Sequence, residues 1–257
     1  MKFNITFFYL IFSLLVYNTN IILAADYNKK SNIYIIAPVY GYHFNQEFHT
    51  ERILGQPKIV STRGGGYQSG VFFQMLSNKF SLSEFPFYAR TNHSNVFGNI
   101  LFAGYDIAEL TDNLKLNFGI GYIYHKIETS MTEIDINVYM PRLGIKLNFS
   151  DFKITPYYSR VKENNETEVL SKISKKKYYY DLYGIILNYS FKHFWQHTLR
   201  YYYGNINKSD GRDIYTIRYY NSLNLTKTMG LLLKYEYEKH KNEGVDKSIT
   251  LGPFLLF

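Results

Sequence analysis

The chain contains no cysteine. That excludes a disulfide-stapled secreted domain, and it excludes a lipid-modified cysteine at an export cleavage site. Tryptophan occurs once and proline six times in 257 residues. Beyond the N-terminus no window is apolar enough for long enough to make a spanning helix of ~20 residues. Any crossing of a membrane must therefore be made by strands. No stretch has the composition of an interdomain linker, so one domain is expected. Gly64-Gly65-Gly66 lacks the Lys-Ser/Thr partner of a phosphate-binding loop. His193 and His197 lack a glutamate between them, and on a strand they would stand ~13 Å apart, so no metal site is expected. No cofactor motif is found.

The chain does carry 27 tyrosines and 20 phenylalanines. Amphipathic aromatics suit a bilayer interface. The first residues combine one lysine, a mostly apolar run from Phe3 to Val16 and the small residues Ala24 and Ala25. This is the pattern of a secretory signal peptide over 1–25, cut after Ala24 or Ala25, with 26–257 as the mature domain. The mature chain would carry a net charge of +7, from 28 basic and 21 acidic residues. Basic charge beside aromatics can mark single-stranded nucleic acid binding, but an exported chain does not meet nucleic acid.

The strongest pattern is a period of two. In the last ten residues Ile249, Leu251, Pro253, Leu255 and Phe257 share one face, opposite Ser248, Thr250 and Gly252. Similar alternation runs through Leu114–Tyr124, Trp195–Gly204, Asp213–Asn224 and Met229–Glu238. Twelve candidate strands can be counted, near 32–42, 66–76, 80–91, 96–110, 114–127, 133–148, 152–163, 176–190, 195–206, 212–224, 229–239 and 247–257. Strands 32–42 and 96–110 are ambiguous in phase, so ten is an alternative count. Short gaps alternate with longer ones, and 43–65 and 164–175 are expected to be long polar loops. Five prolines fall inside these strands. Proline cannot donate to a ladder. The apolar phase slips by one beside Pro86 and Pro141, which predicts a β-bulge at each.

The signal-like start, the even strand number, the asymmetric gaps and the terminal Ile249-x-Leu-x-Pro-x-Leu-x-Phe257 resemble those of bacterial outer-membrane β-barrel proteins, at the level of the class. The resemblance implies an all-β, closed antiparallel barrel in the outer membrane, in contact with its lipids. It also implies that Phe257, Leu255, Leu251 and Ile249 form the signal read by the barrel-assembly machinery.

The phase assignments point Lys115, Arg142, Lys146, Arg200, Arg218 and Lys234 into the lumen, with Asp135, Glu236 and Glu238. An excess of basic groups in a wet pore favours anions. The function expected is a passive porin-like channel for small solutes with weak anion preference. A non-conducting structural or surface barrel acting through its long loops is the alternative, because small barrels are often filled. Lysines of the polar loops, such as Lys172, Lys175, Lys176 and Lys177, either meet lipid phosphates or form a solvated rim. Asn92-His93-Ser94-Asn95 resembles the His-x-Ser-Asn motif of outer-membrane lipid hydrolases. Here His and Ser are adjacent and would point to opposite faces of a strand, so no enzyme is expected.

Overall fold

The computed structural model describes residues 33–53, 56–77, 79–92, 94–130, 132–169, 171–191, 195–206, 212–240 and 244–257. The signal segment, His93 and His193 lie outside the described residues. The described residues form twelve strands: β1 (Ile33–Ile53), β2 (Gln56–Leu76), β3 (Phe80–Thr91), β4 (Asn95–Thr111), β5 (Leu114–Glu128), β6 (Thr132–Phe149), β7 (Phe152–Val169), β8 (Lys172–Phe191), β9 (Trp195–Ile206), β10 (Arg212–Asn224), β11 (Met229–His240) and β12 (Gly244–Leu256). Each pairs antiparallel with its sequence neighbours, and β12 pairs with β1, which closes the barrel. The alternative count of ten is thereby dropped. Closure matters because lipid offers no partner for an edge strand's amides.

One end of the barrel carries Ile33, Phe257 and the turns after β2, β4, β6, β8 and β10; we call it the turn end. The opposite, hairpin end differs from expectation. The segments 43–65 and 164–175 are not loops. β1 and β2 stay in register as far as Ile53↔Gln56, and β7 and β8 as far as Val169↔Lys172. Polar composition suggested loops, but a hairpin standing clear of the membrane has both faces in water and needs no apolar alternation. Turn chemistry is local. The Ser77 hydroxyl accepts from the Phe80 amide at 3.0 Å, and the Thr226 hydroxyl accepts from the Met229 amide at 3.0 Å.

The bulges expected beside Pro86 and Pro141 are absent. Register is unbroken from Phe80↔Tyr105 to Arg90↔Asn95 and from Leu114↔Leu147 to Glu128↔Glu133. The prolines interrupt single ladders instead. Pro86 keeps its pairing with β4 while the β2–β3 ladder lapses between Gly70↔Phe87 and Phe73↔Glu84. Pro141 and Pro156 do the same to the β6–β7 ladder, each remaining paired on its other side. A strand residue sends its N–H to only one neighbour, so a missing N–H weakens one side and leaves the other intact. The observed irregularity lies in β4, around Ile107 and Leu110, which accounts for the ambiguous phase of 96–110.

The phase slips have a different cause: the apolar face changes sides. Near the turn end of β6, Leu143 and Ile145 face outward and are exposed. Toward the hairpin end, Val138 and Met140 face inward and are buried, with Ile136 packed against them. Phe85 and Phe87 likewise face inward on β3. Apolar side chains therefore pack inside the hairpin-side half, beside buried polar and charged ones such as Gln68, Thr216 and Arg218. Outside, tyrosines pair across strands as a girdle, with centroids 5.2 Å apart for Tyr122–Tyr139, 5.4 Å for Tyr158–Tyr183 and 5.1 Å for Tyr203–Tyr215.

Candidate functional site

Register brings three arginines from separate strands onto one ring at mid-barrel. The guanidinium carbons of Arg142 (β6), Arg200 (β9) and Arg218 (β10) lie 4.9, 5.2 and 5.8 Å from the centroid of Phe102 on β4. Each also meets a second ring: Tyr157 at 5.5 Å, Tyr220 at 5.3 Å and Tyr202 at 5.6 Å respectively. A guanidinium over an aromatic face is attracted by the ring quadrupole, more strongly once desolvated. Phe102 thus offsets part of the repulsion among three like charges.

A second cluster adjoins the first. Lys234 is 1% exposed, its Nζ 3.4 Å from the centroid of Phe85. Glu236 stands between Lys234 Nζ at 2.8 Å and Arg218 Nε at 3.0 Å, ion-pair distances reached without hydrogen-bond angles. Glu238 accepts from the Thr216 hydroxyl at 3.1 Å and lies 4.0 Å from Arg218. Nearer the turn end Lys146 holds the buried Asp106 at 2.7 Å, and Asn117 donates to the same carboxylate at 2.8 Å. Lys115 sits at the rim, paired with Glu109 at 2.7 Å.

Of the nine residues expected to line the lumen, seven stand on the inner face of the described barrel, Lys115 sits at its rim and one lies outside. Asp135 is the correction. It follows Ile134 and precedes Ile136, both of inward parity, and it accepts from the outward Tyr124 hydroxyl at 2.9 Å. The expectation took Ile134 and Ile136 as lipid-facing. Phe102, Asp106, Tyr157, Tyr202 and Tyr220 were missed because inward aromatics read as lipid-facing ones. Asp106 carried a signal, an acid within a run of apolar strand residues, but the bulge beside it hid its face.

Among the described residues, two cavities lie in the interior. The larger, about 370 Å³, lies on the turn side; Lys146, Asn117, Asn188 and Gln196 are among its lining residues, with Arg142 and Arg200 deepest. The smaller, about 60 Å³, lies toward the hairpin end among His43, His125, Arg218 and Glu236. They share no lining residue. Phe85 and Tyr202, both buried, lie between them with Lys234. Arg142 and Arg200 have no carboxylate at ion-pair distance among the described residues. The larger cavity thus ends on two guanidiniums.

The remaining candidates lie elsewhere. Ser94 closes the β3–β4 turn, its hydroxyl 3.0 Å from that of Thr91. His197 faces outward, with Nδ1 2.6 Å from the Tyr219 hydroxyl, and among the described residues no group could hold a metal ion. On β12 Ile249 and Leu251 are exposed on the outer surface, while Leu255 is buried and Phe257 half-buried. The Phe257 amide donates to Tyr34 at 3.0 Å, and the Tyr34 amide donates to Phe257 at 3.1 Å.

No family model matches the sequence, and no curated protein matches it. Solved structures do. The NanC porin is 11% identical, covering 84% of this chain and 98% of its own, with a TM-score of 0.51. The translocator domain of the autotransporter NalP from Neisseria meningitidis is 14% identical over 95% of both chains, with a TM-score of 0.49. The KdgM porin is 14% identical, covering 82% of this chain and 98% of its own, with a TM-score of 0.42. The likeness is one of fold: the chain has the closed barrel of outer-membrane proteins.

Proposed function

We propose that the protein is a passive outer-membrane channel for small solutes with a weak preference for anions, its turn end facing the periplasm. The observation that carries this reading is the pair Arg142 and Arg200, which ends the larger cavity without a carboxylate partner. Fixed positive charge in a low-dielectric recess raises the local concentration of anions. The test is planar-bilayer conductance of the refolded, detergent-solubilised barrel. Single-channel steps with a reversal potential on the anion side are expected. Arg142→Glu with Arg200→Glu should move that potential toward cations; an unchanged potential would remove both residues from the ion path.

The separation of the two cavities favours a second reading, a non-conducting barrel that acts through its tall hairpins. A folded protein giving no steps at any voltage would establish it. By resemblance we also assign Phe257 with Leu255, Leu251 and Ile249 to recognition by the barrel-assembly machinery. Phe257→Ser should lower the amount assembled in cells while refolding into detergent proceeds as before. Equal loss in both assays would make Phe257 only a seam residue.

A further inference from the structure

The outward side chains of β5 to β8 form rows across four strands at the hairpin end. The first row is Tyr122, Tyr139, Lys162 and Tyr179. The next row toward the hairpin tips is Tyr124, Asn137, Asn164 and Lys177. Beyond it stand Lys126, Asp135, Glu166 and Lys175. All of the last two rows except Lys126, together with Asn165 and Lys176, line a cleft of about 440 Å³ on the outer surface. The first row belongs to the tyrosine girdle, which marks the height of the bilayer interface. The cleft therefore opens where lipid headgroups lie.

The charges in these rows are not equivalent. Lys126 is neutralised by Glu128 at 3.2 Å and Glu133 at 3.0 Å, and Lys175 by Glu166 at 2.8 Å. Lys162 and Lys177 are exposed and have no carboxylate at ion-pair distance among the described residues. They are diagonal neighbours on one face, since Lys162 pairs with Tyr179 and Asn164 with Lys177. Such neighbours stand ~7–8 Å apart at the Cα atoms, near enough for two long side chains to grip one phosphate. Asp135, which sequence phase would have sent into the lumen, lines the cleft and holds the Tyr124 hydroxyl at 2.9 Å.

We propose that this cleft binds the phosphate of a lipid headgroup in the outer leaflet, with Lys177 in its lining and Lys162 on its girdle-side edge as the cationic ligands and Asn164 as a neutral donor beside them. Lys162 stands in the girdle row and Lys177 in the next, and in the outward row beyond them Lys126 and Lys175 already have carboxylate partners. A site for soluble anions would have no reason for that order. The proposal rests on the barrel standing in a membrane with its hairpin end outward, but not on its conducting.

The test is native mass spectrometry of the refolded full chain from mixed micelles containing a diphosphorylated glycolipid, with its dephosphorylated form as comparison. The wild type should retain the phosphorylated lipid and lose the other. Lys162→Gln with Lys177→Gln should lower retention by about tenfold or more, the equivalent of at least one lost charge-assisted hydrogen bond. Lys162→Arg with Lys177→Arg should retain it, and Lys239→Gln, an exposed lysine on the far side of the barrel, should have no effect. Equal retention by the double glutamine variant would overturn the proposal. So would displacement of the lipid by inorganic phosphate, which would make this a free-anion site. Since retention is read without current, a silent channel would leave this result standing.

Discussion

Replacing Glu236 with glutamine should cost the barrel about 3–5 kcal/mol, the range seen when one partner of a buried ion pair is removed. Glu236 is the carboxylate shared by Lys234 and Arg218, and those two cations are 1% and 4% exposed. Glutamine keeps the size of the side chain and removes the charge. Among the described residues Lys234 would then have no anion at pairing distance, and Arg218 only Glu238 at 4.0 Å. Neither cation can reach bulk water without leaving the packed layer against Phe85 and Tyr202. Urea unfolding in lipid vesicles, followed by tyrosine fluorescence, measures the effect. Adding Lys234→Met to the variant should recover part of the loss, because one of the two orphaned charges is then gone. A midpoint equal to wild type in the single variant would mean that water already solvates the cluster.

The second large effect is expected at the closing seam. A methyl at Gly252 would stand 1.8 Å from the Pro38 carbonyl oxygen and 2.9 Å from the Val39 Cα, both backbone atoms. Gly41, on the opposite strand, is equally tight, with the Ile249 carbonyl oxygen at 1.8 Å. A flexible side chain could swing away from such a contact, but backbone can yield only by parting β1 from β12. The joint is already weakened. Its ladder lapses between Ile36↔Leu255 and Tyr40↔Leu251, and that register sets Pro38 opposite Pro253. Gly252→Ala should therefore destabilise the closed barrel by at least the ~1–3 kcal/mol of an ordinary overpacking substitution. Gly104→Ala is the control, since its methyl would meet only the Ser81 hydroxyl oxygen at 3.0 Å. The fraction of refolded protein that resists dissociation in cold dodecyl sulfate reports closure. If the two variants close equally well, the seam tolerates more than its geometry implies.

The parts of this architecture legible in the sequence are those that lipid enforces. Hydrocarbon accepts no polar side chain at low cost, so outward positions must be apolar every second residue. Leu114 to Tyr124 and Met229 to Tyr237 could be assigned to the correct face on that ground. The interior is under no such rule. It accepts Arg142 at one level and Val138 only four residues away. An apolar inward stretch therefore reads as an outward one shifted by a residue. That single ambiguity produced the two unneeded bulges and sent Asp135 to the wrong side. The Phe102 cluster was illegible for a further reason: Arg142, Arg200 and Arg218 are joined only through register, which closure of the whole ring determines.

The side chains that part the two cavities would also shape an electric field. With the turn-side recess the wider space, a voltage applied across a membrane would fall mainly over the partition formed by Phe85, Tyr202 and Lys234. A unit charge carried through the full drop gains ~2.3 kcal/mol per 100 mV. Arg142, Arg200 and Arg218 adjoin that partition through their shared contact with Phe102, so a charge crossing it would meet them over a fraction of the barrel's height.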